Sequence, residues 1–378
     1  MKGLLYYMLP SLDGLVKGDA EAVGVKYIPP TPSYPPLRIF YPSRLPDTGN
    51  RRNAAPQPWK WFSDSPITFS HYLSGLFHVV GLARPGTWVF ALLSRIILPG
   101  VAYFLPPQHR SLPDTYSNLD VIGSSNSEKK MPVIVFSHGL TATSHENALL
   151  CAAWAKQGYL VVAVQHQDGS AACVTKSDGT LQWYVRGPPY KDYDPDFRPK
   201  QILTRAQEMH KAVEYLRQDS VWAERCDCDK IVAAGFSYGA ATAALVVVQD
   251  KSPFRAGAIL LDGWFYIDVA ESAGVEFEFP ALAFERRSVL QSIPALALNS
   301  EEFQKYPKLW EATRRLLGDK QHVIPKTSHN NFCEMCFWLP SSLLKYMRVI
   351  GMGPTGNPKD VYEDIIQRTN AFLKQTLG

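Results

Sequence analysis

The stretch IVAAGFSYGAATAALVVV at 231–248 sets Ser237 between Gly235 and Gly239 in a G-x-S-x-G arrangement. A serine hydroxyl is a poor nucleophile at neutral pH. A histidine must take its proton, and a buried carboxylate must hold that histidine in the right tautomer. The string alone is a weak signal, because serines also sit between glycines in plain turns. Its setting carries more: residues 231–234 read as a buried strand and 240–244 open a helix, the context in which a sharp elbow displays a nucleophile. Gly235 and Gly239 suit that elbow, since strand and helix backbones approach too closely there for side chains.

The carboxylate and the histidine are expected after the serine, in that order, on loops that follow later strands. Asp262 ends the apolar run AILLD; Asp250 falls too early and caps the elbow helix, and Asp268 lies one loop further on. For the base, His322 begins a strand and would be held within the sheet, whereas His329 follows that strand in KTSHNNF. A tetrahedral intermediate also needs two backbone N–H groups aimed at its oxyanion. The amide of Tyr238, just after the serine, is one candidate. The other is the amide of Leu140, in the strand-loop-helix run VIVFSHGLTATSHENALL, where Gly139 permits the bend.

Short apolar runs without alternation position these groups. MPVIVFSH at 131–138, YLVVAVQH at 159–166, KIVAAGF, AGAILLDG, PALALNS and HVIP at 322–325 read as buried strands. Helical patterns at 147–158, closed by Gly158, and at about 199–218 lie between them. Strands buried on both faces and separated by helices predict an α/β architecture, a mostly parallel sheet with helices on both sides. Residues 28–58 are rich in proline around one expected edge strand, LRIFY at 37–41. Apolar helical excursions are expected near 69–105. The first places Tyr72, Leu73, Leu76, Phe77 and Val80 on one face, and the second, TWVFALLSRIIL at 87–98, is too short and carries Arg95, so it reads as a buried or interfacial helix. The expected organisation is an N-terminal extension over 1–36 packed on one domain over 37–378, with 59–107 as an insertion covering the site.

Composition limits the alternatives. Of 378 residues 46% are hydrophobic and 20% charged, so a large core is available. A formal net charge of +4 without a Lys/Arg block argues against a nucleic-acid surface. No P-loop string occurs, and no nucleotide cofactor is expected. CEMC at 333–336 and CDC at 226–228 lack properly spaced partners for a zinc site, so no metal is expected either. The apolar run near the N-terminus ends at Pro10, shorter than a secretory signal needs. Six dispersed cysteines then read as reduced thiols in a cytoplasmic protein, with peripheral membrane association allowed and secretion left open.

Several strings, in order, resemble the platelet-activating factor acetylhydrolase family, the calcium-independent serine phospholipases of the plasma and intracellular type II group. They are IFYPS at 39–43, PVIVFSHGL at 132–140, GYLVVAVQHQDGSA at 158–171, GFSYGAAT at 235–242, ILLDGWF at 259–265, LALNSEEFQ at 296–304 and TSHNNF at 327–332. The resemblance implies an α/β-hydrolase fold with Ser237 as nucleophile, Asp262 and His329 as its partners, and the amides of Leu140 and Tyr238 as oxyanion donors. It implies hydrolysis of the sn-2 ester of a glycerophospholipid with a short or oxidised acyl group, at a membrane or lipoprotein-like surface. A longer-chain phospholipase A, a general carboxylesterase and a non-catalytic lipid-binding protein on the same fold are the alternatives. A monomer or weak dimer is expected. The chain departs from the family in having Phe236 and Ala240 where histidine and a further glycine are frequent.

Overall fold

The computed structural model describes residues 9–46, 55–79, 110–121, 130–187, 194–269, 275–349 and 353–378. The strands are β1 (Ala22–Ile28), β2 (Leu37–Ser43), β3 (Pro58–Lys60), β4 (Ser111–Ser117), β5 (Met131–Ser137), β6 (Leu160–Val164), β7 (Cys173–Thr175), β8 (Leu181–Trp183), β9 (Cys226–Phe236), β10 (Gly257–Leu261), β11 (Tyr266–Val269), β12 (Val275–Glu278), β13 (Ala295–Ser300) and β14 (Gln321–Ile324). Ten of them form one sheet in the order β14-β13-β10-β9-β5-β6-β2-β1-β4-β3. The half from β14 to β6 is parallel throughout. The longer helices are α1 (Phe69–Val79), α2 (Ala148–Lys156), α3 (Phe197–Gln218), α4 (Tyr238–Val248), α5 (Pro307–Leu317), α6 (Ser341–Val349) and α7 (Pro358–Leu377).

Alternate residues of each parallel strand enter different cores. Ile134 and Phe136 of β5, with Ile259 and Leu261 of β10, face α2 and α7. Val133 and Val135, with Ala258 and Leu260, face α3 and α4. With both faces covered, polar alternation has no place in these strands, which is why they read as continuous apolar runs. Every residue of α2 and of α4 is buried. Apart from Lys156 at the end of α2, such helices are nearly apolar all round and carry no amphipathic signature.

Two expectations are corrected at the other end of the sheet, where β1 and β4 pair in parallel and the remaining neighbours are antiparallel. LRIFY is not an edge strand: β2 lies between β6 and β1, and all seven of its residues are buried. Pro42 falls beyond the last β2–β6 pair, Phe40 with Val161, so its missing N–H leaves that ladder intact. Residues 22–28 are not an extension laid on the domain but β1, paired with β2 over its whole length. Gly24 hides this strand in the sequence, and the Tyr41 ring covers it: a Cβ there would stand 2.2 Å from Cε2 of Tyr41. Leu12, Leu15 and Val16 also enter the core. Of the expected helical insertion, α1 is present, with Tyr72 buried and Leu73 and Leu76 packed against the core. The stretch at 87–98, with Arg95, lies outside the described residues, as does Val80.

Candidate active site

β9 runs into α4 through Ser237, whose backbone stands at φ 56° and ψ −118°. A residue with a side chain reaches such angles only when its surroundings hold it there, at a cost of about 1–3 kcal/mol. Here the Ser237 N–H donates to Leu261 O at 2.8 Å, and the Ser237 carbonyl accepts from Trp264 N at 3.1 Å. The flanking glycines are a steric requirement. A Cβ on Gly235 would lie 2.2 Å from Gly239 O, and one on Gly239 would lie 1.9 Å from Ser137 O.

His329 and Asp262 converge on this turn. His329 Nε2 stands 3.0 Å from Ser237 Oγ, and its Nδ1 stands 2.7 Å from Asp262 Oδ2. Asp262, fully buried at the end of β10, accepts a second bond from Ser300 N at 2.7 Å, through Oδ1. An ionised carboxylate accepts the Nδ1 proton, which leaves Nε2 free to accept the serine hydroxyl. The His329 N–H donates to Glu302 Oε2 at 2.9 Å, and Asn331 Oδ1 accepts from Ser328 N at 2.9 Å, which fixes the histidine loop. The rivals lie elsewhere: Asp250 pairs with Arg286 on the surface, Asp268 belongs to β11, and His322 lines an open cavity of about 710 Å³ with Lys320 and Arg368.

The loop after β5 reaches the same place. A Cβ on Gly139 would lie 3.5 Å from Ser237 Cβ, so the turn carrying Leu140 borders the serine. Neither the Leu140 N–H nor the Tyr238 N–H has a protein acceptor among the described residues. Tyr238 opens α4, where the first amides of a helix have no partner within it and the dipole favours negative charge. Such a set can generate an alkoxide, hold a tetrahedral oxyanion and return a proton to a leaving group.

Residues beyond the serine, aspartate and histidine complete the site. Phe236 and Phe303 both stack on the His329 ring, with centroids 4.8 and 5.4 Å away. Phe303 and Glu302 belong to LALNSEEFQ, where their bearing on the histidine depends on a loop-to-loop approach that no local pattern encodes. The CEMC string holds a hub of a different kind. Glu334 accepts through Oε1 from Leu149 N at 2.6 Å, Leu150 N at 3.1 Å and Tyr362 Oη at 3.0 Å, and through Oε2 from Trp61 Nε1 at 3.0 Å. The carboxylate thus joins the first turn of α2, the segment after β3, the histidine loop and α7. All six cysteines are free thiols, and no group of three His, Cys, Asp or Glu side chains among the described residues could hold a metal.

The sheet order, the elbow and the residues around it define an α/β-hydrolase. The solved ferulic acid esterase of Streptomyces cinnamoneus shares this fold, with a TM-score of 0.57 and 19% identity over 96% of this chain and 92% of that one. A family model described as platelet-activating factor acetylhydrolase, isoform II, matches residues 115–378, and the chain belongs to that family. It is 28% identical over 284 residues to a platelet-activating factor acetylhydrolase of Gallus gallus, covering 66% of this chain and 63% of the relative. With the Bos taurus protein of that name it shares 27% identity over 252 residues, covering 58% and 51%. The chain therefore spans between half and two thirds of the length of these curated relatives.

Proposed function

We propose that the protein is a serine esterase that cleaves the sn-2 ester of a glycerophospholipid carrying a short or oxidised acyl group. The observation behind this reading is the unbroken chain Ser237–His329–Asp262 on an elbow bordered by two unpaired amides. Family membership supports the substrate class.

Ser237 Oγ attacks the ester carbonyl while His329 Nε2 takes its proton, and the new oxyanion sits on the Leu140 and Tyr238 amides. The C–O bond to glycerol breaks, His329 protonates the departing lyso-phospholipid, and an acyl-serine remains. Water then attacks, giving its proton to His329, and the acid leaves as Oγ regains a proton. Asp262 holds the imidazole and stabilises its cationic form throughout. No step requires a metal or other cofactor.

An amphiphilic substrate is drawn from an aggregate, and α6 offers a docking surface. Leu343, Tyr346 and Val349 are 41%, 62% and 85% exposed, whereas the preceding Phe337 and Trp338 are buried and take no part. Among the described residues no helix is long and apolar enough to cross a membrane.

The test is labelling by a fluorophosphonate together with hydrolysis of phosphocholines of increasing sn-2 length. Labelling is expected to vanish in Ser237→Ala, and Asp262→Asn is expected to lower kcat by about 10³–10⁴-fold through the wrong histidine tautomer. Activity that does not fall with acyl length would favour a longer-chain phospholipase or a carboxylesterase. Absence of labelling in the wild-type protein would leave a non-catalytic lipid-binding protein.

A further inference from the structure

Behind the turn that carries Leu140 lies a buried arginine that touches none of the groups expected to meet substrate. Arg205, on α3, has no exposed surface. Its Nη1 donates to His138 O at 2.8 Å, its Nη2 to Gly139 O at 3.3 Å, and its Nε to Ser170 Oγ at 2.9 Å. Asp168 Oδ2 lies 3.4 Å from Nε and balances the charge, itself fully buried. The guanidinium carbon stands 4.7 Å from the centroid of the Tyr238 ring.

Two of these bonds hold successive carbonyls of the turn, and the second falls on the peptide group that carries the Leu140 N–H. The carbonyl of Gly139 and the N–H of Leu140 belong to one planar, trans unit, so fixing the carbonyl in one direction fixes the N–H in the opposite one. A second donor acts with Arg205. The backbone N–H of His166 donates to His138 Nε2 at 3.2 Å, which places the His138 proton on Nδ1. That Nδ1–H donates to Gly139 O at 2.8 Å, and the nearby Nη2 of Arg205 is thereby directed to the carbonyl. On the other side of Leu140, Thr141 N donates to the carbonyl of Ser170 at 2.7 Å, and the Ser170 hydroxyl is the group that Arg205 Nε binds. The turn is held by its carbonyl before Leu140 and by its amide after it.

We propose that Arg205 is a positioning residue for the oxyanion hole. It locks the Gly139–Leu140 peptide, with His138 as its neutral co-donor, so that the Leu140 N–H faces the reacting centre at Ser237, and it braces the ring of Tyr238, whose amide is the second donor. Donors on the carbonyl also polarise the peptide, which strengthens the hydrogen bond its N–H gives. The charge stays away from the substrate and acts through the peptide. This inference rests on the esterase reading above.

The experiment compares wild-type protein with Arg205→Lys, which keeps the charge but cannot hold His138 O, Gly139 O and Ser170 Oγ together. Kinetics on a soluble short-chain ester, inhibition by a trifluoromethyl ketone and the pH profile of kcat/KM are the readouts. Arg205→Lys is expected to lower kcat by about tenfold or more with KM within about twofold, because the lost interaction exists mainly in the transition state. Inhibition by the ketone, which forms an oxyanion on Ser237, should weaken by the same factor as kcat/KM, while the rising limb of the pH profile stays in place. A folded Arg205→Lys enzyme with kcat within twofold of wild type, or one whose loss lies in KM, overturns the proposal. If that variant does not fold, Arg205→Met with Asp168→Asn removes both buried charges together and is read by the same criteria. Wild-type protein inert to esters and fluorophosphonates would overturn the esterase reading as well. An active wild type with an indifferent Arg205→Lys overturns this inference alone.

Discussion

Phe236 stacks on His329 with the ring planes 28° apart, one residue before the serine that the same histidine faces. The family frequently has histidine at this position. The phenyl ring gives the imidazole a flat apolar wall, and Phe303 stacks on it at 15°. Removing a wall frees the imidazole to rotate about its bond to Asp262, and the 3.0 Å approach of Nε2 to Oγ is lost for part of the time. Phe236→Ala is expected to lower kcat by about tenfold, since misalignment of a catalytic base is expensive. It should also lower stability by about 3–5 kcal/mol. Phe236→Leu, which restores bulk without a flat face, should recover much of the stability and less of the rate. Steady-state kinetics and urea denaturation on the two variants separate these effects.

Gly239→Ala tests the elbow. The added methyl would meet the backbone oxygen of Ser137, and neither partner is a flexible side chain. We expect a loss of at least about 3 kcal/mol of stability, read as a lower urea midpoint or as failure to accumulate soluble protein. A variant with wild-type stability would show that β5 and α4 are not in contact as described.

Glu146 makes the fold sensitive to alkali. Burial pushes its pKa from 4.5 up to about 8. Because the folded state holds the proton more tightly than the unfolded chain, this group's contribution is full below about pH 4.5, declines as pH rises and is lost above about pH 8. Glu146→Gln, which cannot ionise, should flatten the fall in stability across that window. Thermal melting of both proteins from pH 5 to 9 measures the difference; parallel curves would exclude Glu146 as the cause.

For α6, liposome co-sedimentation is the direct measurement. Leu343→Asp with Tyr346→Asp places charges at two exposed positions of one helix. Binding to phosphatidylcholine vesicles should fall severalfold, with hydrolysis of a soluble ester unchanged. Unaltered binding would end the docking proposal for this helix.

The parallel half of the sheet was legible because its strands are short, apolar and punctuated by helices, and because the elbow imposes glycine on both sides of Ser237. His329 was separable from His322 by one physical consideration, that a residue inside a strand cannot swing over a sheet edge. The mixed half was not legible. β1 contains Gly24 and β2 contains Pro42, residues that depress strand propensity, and both are accommodated by tertiary context: the Tyr41 ring fills the glycine's space, and the β2–β6 ladder stops before the proline. Arg205 escaped notice because a buried cation inside a helical pattern reads like any surface arginine until its carbonyl partners are seen. The stacking of Phe303 on His329 likewise depends on two loops meeting, which composition and periodicity do not encode.

The Glu334 hub carries a consequence for engineering. Trp61 supplies the only hydrogen bond that the outer carboxylate oxygen receives among the described residues. Excising the stretch around that indole to widen access would leave one oxygen of a buried carboxyl group unsatisfied, beneath the helix that follows the Leu140 turn and beside the chain that delivers His329. Remodelling for bulkier esters is therefore better directed at side chains, with this anchor left standing, than at wholesale loop exchange.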